Sequence, residues 1–316
     1  MNPDPLVSVI IPTLRRPELV LRAVNSVLQQ TMQDFEILVI IDGKDDASEK
    51  SLGTITDPRL KVTMNPQSQG PAQARNIGGS QARGTWSTFL DDDDEWLPNK
   101  LEEQVRVARE LGGDRILLAA QFIDSGPAFE RILPLRDPDP GEDMSEYLFC
   151  RKGPLRVQGL VQTSTYFVST RLLQEFPLKA GLTPHEDYDW LMRVSKRCDR
   201  PFTVVPGPLS IYHNEQITNR EGAGGNFDFH WDYAHRNREL FTPSAFSFYL
   251  SVFCTPSAVK STDKWKRLRM VLRGIWQGKP SLTCMTTFLG FAFFSLETRR
   301  KLRNTFQAFA GSKKPA

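Results

Sequence analysis

Across residues 6–122, continuous apolar runs of strand length alternate with amphipathic stretches of helical period, and this alternation restricts the fold more than any other feature. Residues 6–12 (LVSVIIP) are a β-branched run, as expected of a strand covered on both faces. Pro17 then opens a stretch in which Leu19, Val20, Ala23, Val24, Val27 and Leu28 form one stripe at helical spacing. Residues 35–41 (FEILVII) read as a second buried strand closed by Asp42-Gly43, and residues 60–64 as a shorter third. A helix is expected over 71–82, although Gly78 and Gly79 each weaken it by about 1 kcal/mol relative to alanine. Residues 86–90 (WSTFL) form another strand pattern that runs straight into Asp91, Asp92, Asp93 and Asp94. A helix over 98–111 and a strand over 116–122 complete the series. This order calls for an α/β fold, a mostly parallel sheet flanked by helices. In such sheets ligands bind beyond the carboxyl ends of the strands, where Asp42 and the aspartate run both fall.

Residues 124–159 are rich in proline, glycine and charge and read as a long loop. A strand pattern returns over 160–168, a helix over 186–197, and short strands over 202–205 and 209–213. From residue 243 the pattern is helical with short breaks. The expected organisation is a main domain over 1–242, with halves of about 1–123 and 124–242, and a basic helical segment over 243–316.

Charge separates the same two portions. From Lys260 onwards there are 13 Lys or Arg against 2 acids, whereas the preceding residues carry 27 bases against 35 acids. A basic segment after an acidic body calls for an anionic partner. Residues 264–273 (KWKRLRMVLR) mix bases with apolar side chains, and residues 281–296 carry no charge over sixteen positions. Sixteen falls short of the roughly 20 residues of a membrane span. The pattern instead predicts a segment lying in the interface of an anionic membrane, the other readings being a helical subdomain that packs its apolar face on the catalytic core, or a dimer contact. No RNA- or DNA-binding module is recognisable, so a nucleic-acid partner is not expected. The first residues lack a basic region ahead of the apolar run, which predicts no signal peptide. The four cysteines are widely scattered and read as reduced thiols. The expected location is therefore cytoplasmic, peripheral at the inner face of the membrane.

Four adjacent carboxylates after an apolar strand repel one another unless a cation neutralises them or water screens them. Oxygen ligands suit Mg²⁺ or Mn²⁺, and Mg²⁺ commonly takes one or two carboxylates together with substrate phosphates. A cation so held can bridge the two phosphates of a nucleotide-sugar and act as a Lewis acid on the departing diphosphate. The other reading of the run is a solvated acidic turn ahead of the helix near Pro98.

Four segments in order carry a resemblance. They are VSVIIPTLRR at residue 7, ILVIIDGKDD at residue 37, GPAQARNIGGSQARGTWSTFLDDDDEW at residue 70 and HEDYDWLMRV at residue 185. Together they resemble glycosyltransferase family 2, whose catalytic domain has the Rossmann-like GT-A fold, over roughly residues 6–215. The resemblance implies that Pro12 and Thr13 line the nucleotide pocket and that Asp42 accepts a hydrogen bond from the base. It implies that Asp92 contacts the ribose, that Asp93 binds the metal, and that Asp91 completes the D-x-D spacing. Asp187, with Glu186 beside it, matches the position of the catalytic base, since inverting transfer needs a carboxylate to take the acceptor proton. Neighbouring helical side chains diverge by about 100°, which favours one of the two, Asp187. Outside the resemblance, the pair reads simply as acids favouring a helix N-terminus. His213 is similar to a late histidine that reaches the diphosphate or metal in some relatives, the other reading being a structural histidine in a loop. Arg75 could contact the donor or pair with the acidic run. The first loop departs from the family in reading Thr-Leu-Arg-Arg where an aromatic residue and Asn are common. Ile41 likewise stands where a first aspartate is usual.

The function these features predict is that of an inverting, non-processive glycosyltransferase using a nucleoside diphosphate sugar, a UDP-sugar by preference, with Mg²⁺ or Mn²⁺. The acceptor would be a glycan or lipid-linked precursor of a surface polysaccharide. No Q-x-x-R-W signature of processive synthases is present. A polyprenyl-phosphate sugar synthase of the same fold is the nearest alternative, because a lipid phosphate already carries its charge and has less need of a base. A nucleotide-sugar-binding protein without transfer activity would have no use for the Glu186-Asp187 pair. A nucleotidyltransferase would need a glycine-rich phosphate loop, whereas Arg15-Arg16 stands without glycines.

Overall fold

A computed structural model describes residues 4–127, 129–151, 159–214, 226–295 and 298. The bases Arg299, Arg300, Lys301 and Arg303, which contribute to the expected membrane segment, lie outside the described residues. The chain forms two compact units, Met1–Glu142 with Gly159–Ala223, and Asp143–Gln158 with Gly224–Ala316.

The first unit begins with β1 (Val7–Thr13), α1 (Pro17–Leu28), β2 (Phe35–Asp42), α2 (Asp46–Leu52), β3 (Leu60–Asn65), α3 (Pro71–Gln81) and β4 (Trp86–Phe89). Every residue of β1, β2 and β4 is buried, which explains why their sequences run apolar without alternation. β1 pairs in parallel with β2 and β4, and β2 with β3, in registers such as Val9 opposite Ile37 and Thr88. Val7, Val9 and Ile11 share one core with Ile37, Val39 and Ile41 and with the α1 stripe Val20, Ala23, Val24 and Val27. On the other face Ile10 meets α3 at Gly78, where an added Cβ would lie 2.4 Å from Ile10 Cγ2. The glycine that weakens the helix is what lets it pack this close.

Beyond β4 come β5 (Glu95–Trp96), α4 (Lys100–Leu111), β6 (Leu117–Gly126), β7 (Phe129–Leu133), β8 (Phe167–Ser169), α6 (Thr170–Glu175), α7 (Glu186–Ser195) and β9 (Thr203–His213), with α5 (Met144–Phe149) belonging to the second unit. The strand order is β3-β2-β1-β4-β8-β6-β9-β5, with β7 paired to β6. The sheet is parallel over β3-β2-β1-β4 and mixed beyond, since β8 is antiparallel to both β4 and β6 while β6 and β9 run parallel. Three sequence expectations change here. The loop expected over 124–159 contains the β6–β7 hairpin and α5. The strand expected over 160–168 is a 3-10 turn, Thr163–Thr165, followed by the three-residue β8. The strands expected over 202–205 and 209–213 are one, β9, with a register irregularity against β6.

The second unit contains α5, α8 (Phe227–Arg236), α9 (Pro243–Tyr249), a π-helical stretch Leu250–Cys254, α10 (Thr255–Val259), α11 (Lys264–Gln277) and α12 (Leu282–Phe293). An aromatic cluster joins them, with Phe149 edge-on to Tyr249 at 5.4 Å and tilted on Phe241 at 5.7 Å. Tyr233 lies 5.8 Å from Tyr249. These contacts join α5 and α8 to the helices that follow Pro243.

Candidate active site

The carboxyl ends of β1, β2 and β4 open onto a cavity of about 750 Å³ within the first unit. Pro12, Thr13, Asp42, Arg75, Asp91, Asp92, Asp93, Glu186 and Asp187 all line it, together with Arg15, Arg16, Ser68, Gly70, Thr163 and Thr183. Strand ends far apart in sequence converge there because parallel strands present the same end to the same edge of the sheet.

The aspartate run divides by environment. Asp91 is held by Arg75 at 2.5 Å, and its N–H donates to Ser164 Oγ at 2.9 Å. Asp92 accepts from Thr13 Oγ1 at 2.8 Å and from Arg16 Nη1 at 2.9 Å. The same Arg16 nitrogen reaches Asp93 Oδ2 at 3.1 Å, while Arg22 bonds the Asp93 carbonyl at 2.6 Å. Asp94 is fully buried, accepts from Ser164 Oγ at 2.6 Å and from Gln162 Nε2, and keeps Oδ1 without a partner. Burial pushes Asp94 well above the usual carboxylate range, and the charges of Asp91 and Asp93 push the same way. Burial also raises Asp92, with Arg16 and Thr13 pulling back, to about 6.

Ligand oxygens of Asp91, Asp93 and Asp94 lie within 4.8 Å of one another. A buried, unpartnered carboxylate oxygen beside two further carboxylates is a donor set that Mg²⁺ or Mn²⁺ fits. His213 is not part of this group. Its Nε2 meets Glu95 Oε1 at 2.7 Å, and Glu95 also faces Arg22 at 3.3 Å. It does not line the cavity.

Asp42 is buried, and its two oxygens accept from Asn65 Nδ2, Ser68 Oγ and the N–H groups of Gln69 and Gly70, at 2.8–3.1 Å. It therefore shapes the cavity wall at 65–70 as well as lining it. Asp187, at the start of α7, accepts from the Tyr188 N–H at 2.8 Å. Burial raises its carboxyl most and Glu186 adds to this, while the Tyr188 N–H and Arg75 pull it back, to about 7. Glu186 is buried with Oε2 unpartnered. Burial works against the charge of Arg75, but Asp91, Glu186 and Asp187 around it hold the guanidinium above its ordinary value.

Several residues of the site carry no motif. Ser164, in the 3-10 turn, ties Asp91 to Asp94, and its carbonyl accepts from Trp96 Nε1 at 2.9 Å. Arg16 is the main omission of the sequence reading. Two adjacent cations in the loop after β1, in a chain whose acidic run needs compensation, were the available signal.

A profile described as Glycosyl transferase family 2 matches residues 8–153, the stretch that supplies the first strands and the aspartate run. Over that stretch the chain carries the sequence pattern of glycosyltransferase family 2. This glycosyltransferase is 27% identical over 288 residues to the putative colanic acid biosynthesis glycosyl transferase WcaA of Escherichia coli, covering 87% of this chain and 100% of that one. It is 37% identical over 102 residues to WfgD of Escherichia coli, covering 32% of this chain and 40% of the relative. WfgD is a UDP-Glc:alpha-D-GlcNAc-diphosphoundecaprenol beta-1,3-glucosyltransferase. The fold is similar to that of residues 1–349 of S. aureus TarS in complex with UDP-GlcNAc, with a TM-score of 0.55 at 16% identity over 86% of this chain and 72% of that one. The glycosyltransferase thus has a GT-A fold and relatives in polysaccharide biosynthesis.

Proposed function

We propose that this glycosyltransferase is inverting and non-processive, and that it moves a sugar from a UDP-sugar to a glycan or lipid-linked acceptor of surface polysaccharide synthesis. The observation that carries the reading is that Asp187 and the Asp91–Asp93 carboxylates line one cavity. Asp91, Asp93 and Asp94 are the residues to hold a divalent cation, which when bound supplies Lewis-acid stabilisation to the departing nucleoside diphosphate. Asp187 takes the proton of the acceptor hydroxyl as that oxygen bonds the anomeric carbon and the bond to the diphosphate oxygen breaks. A carboxylate raised to about 7 suits this task, because its basicity is near the working pH. Thr13 and Arg16 hold Asp92, and Asp42 fixes the wall at Ser68 and Gly70, which leaves the cavity mouth formed before the donor arrives. The donor and the lipid-linked acceptor named for WfgD support the same classes here.

The second unit supplies a membrane-facing surface to this reading. No helix among the described residues is long and apolar enough to cross a membrane. On α12, Leu282, Leu289 and Phe293 are exposed along one face, with Leu282 82% exposed, while Cys284, Thr287, Phe288 and Ala292 are buried on the other. On α11, Trp265 and Trp276 are 67% and 65% exposed. Eleven positions at 100° bring them back to the same side of the helix, flanked by Arg269 and Arg273. Tryptophans beside bases and an apolar helix face fit an anionic lipid surface.

The donor test is thermal melting with UDP-sugars in the presence and absence of Mn²⁺. One UDP-sugar is expected to raise the melting temperature only with the metal, and Asp93→Ala to abolish the shift. Equal shifts in that variant would count against the site.

A further inference from the structure

The charge of Arg16 sits at the wrong end of a helix. The residue is the N-cap of α1, where Ser, Thr, Asp or Asn is preferred, and its side chain makes no capping bond. A cation there opposes the positive end of the helix dipole. The loop is nonetheless built to place it. Arg15 adopts a left-handed backbone, φ 55°, uncommon outside glycine and asparagine. Asp45 holds that conformation by accepting the Arg15 N–H at 2.6 Å, while its other oxygen caps α2 through the Ser48 N–H at 3.2 Å. The result is a single guanidinium nitrogen 2.9 Å from Asp92 Oδ1 and 3.1 Å from Asp93 Oδ2. Arg16 also lines the cavity, and its side chain is 39% exposed, so it has room to move.

We infer that Arg16 is a resident counter-cation of the donor site, which neutralises Asp92 and Asp93 while the site is open and passes to the donor diphosphate when a divalent cation takes Asp93. This deepens the donor-site reading and rests on it. The guanidinium and the metal compete for one carboxylate, so Arg16 weakens binding of metal alone. A guanidinium matches the oxygens of a diphosphate as well as those of a carboxylate, so the same residue strengthens binding of metal and nucleotide together. Metal binding is thereby coupled to nucleotide binding.

The test is a pair of titrations on the full chain. Free Mn²⁺ is counted by its paramagnetic resonance signal without nucleotide, and UDP binding is measured by calorimetry at saturating Mn²⁺. Arg16→Gln is expected to bind Mn²⁺ alone about tenfold more tightly and UDP about tenfold more weakly, the size of one charge-assisted hydrogen bond. Arg16→Lys keeps the charge without the fork and is expected to move both constants the same ways by smaller factors, which keeps the test open if the glutamine variant folds poorly. Variants at wild-type values in both titrations would overturn the inference, as would variants weakened in both, the mark of a merely structural tie. A wild-type chain that binds no Mn²⁺ even with UDP present would overturn the donor-site reading itself, and this inference with it.

Discussion

As the proposed base, Asp187 combines two demands on a single carboxyl group, since a base there must be buried enough to be basic and ionised enough to accept a proton. Its value of about 7 places the transition inside the accessible pH range. Transfer by the wild-type chain is expected to rise as pH passes through about 7 and to level off above it, because only the ionised form accepts the acceptor proton. Asp187→Asn should lower kcat by roughly 10²- to 10⁴-fold, the usual contribution of a general base, while leaving UDP binding intact. Activity that survived with an unchanged pH profile would favour an acceptor that is already charged, a lipid phosphate. The same shift affects stability. The folded-state value lies above the ordinary 3.8, so the group's contribution is fully present below that value and lost as pH rises through about 7. Asparagine stays neutral throughout. Asp187→Asn is therefore expected to melt above the wild type at pH 8, with the gap narrowing as pH falls through 7 and closing only near pH 4; a gap constant with pH would refute the assignment. At this scale Asp91–Asp94 and Glu186–Asp187 were legible because charge concentrated at a strand end or a helix start has few structural uses. His213 was placed by resemblance to the diphosphate or metal, and in the structure it pairs with Glu95. Ser164 left no pattern and Arg16 only the paired cations of its loop, because their roles arise from partners 70 or more positions away in sequence.

Elements were legible where burial imposes a period, as in β1, β2 and α1, and illegible where side chains compete with the backbone. The 160–168 stretch is apolar and β-branched enough to read as a strand. Yet Thr165 Oγ1 bonds the Gln162 carbonyl at 2.6 Å and Gln162 Oε1 accepts the Ser164 N–H at 3.1 Å, and these local bonds wind it into a turn. Nothing in the α4 pattern marks Lys100 as buried, but its Nζ donates to Thr88 Oγ1 and Gln104 Oε1 and sits 3.8 Å over the Trp96 ring. Burial keeps this amine well below its ordinary value. Gly78 shows how sequence propensity can mislead. Alanine there gains about 1 kcal/mol of helix propensity, but its Cβ would enter Ile10 on a strand hydrogen-bonded on both sides. Overpacking of that kind costs about 1–3 kcal/mol. Gly78→Ala is expected to destabilise the wild-type chain in urea and to be neutral or stabilising in an Ile10→Ala background, where Cγ2 is gone. Equal losses in the two backgrounds would mean that the close approach of α3 to β1 does not set the requirement.

At the scale of the whole molecule, the formal net charge of +3 conceals a chain acidic before Lys260 and strongly basic after it. Solubility alone does not require such separation, and the described part of the basic segment shows what accompanies it. From Lys264 to Ser295 there are six bases and no acid, and the exposed side chains between them include Trp265, Trp276, Leu282, Leu289 and Phe293. Arg267 is partly spent on Asp228 at 3.2 Å, but Lys266, Arg269, Arg273 and Lys279 are exposed. Each base near an anionic leaflet contributes on the order of 1 kcal/mol, and the apolar side chains add burial that salt does not screen. The two contributions separate in a vesicle sedimentation assay. The chain is expected to bind vesicles containing phosphatidylglycerol and to leave them partly at high salt, with little binding to phosphatidylcholine alone. Arg269→Gln with Arg273→Gln should remove most of the salt-sensitive part, and Trp265→Ser with Phe293→Ser most of the remainder. All four positions are exposed, so neither pair is expected to lower the melting temperature by more than a degree or two. Binding indifferent to lipid charge, or unchanged in both pairs, would assign this face to another surface. A glycosyltransferase held this way would search for a lipid-linked acceptor in two dimensions, which is what a cation-rich, tryptophan-bearing face on a chain without a spanning helix among its described residues can provide.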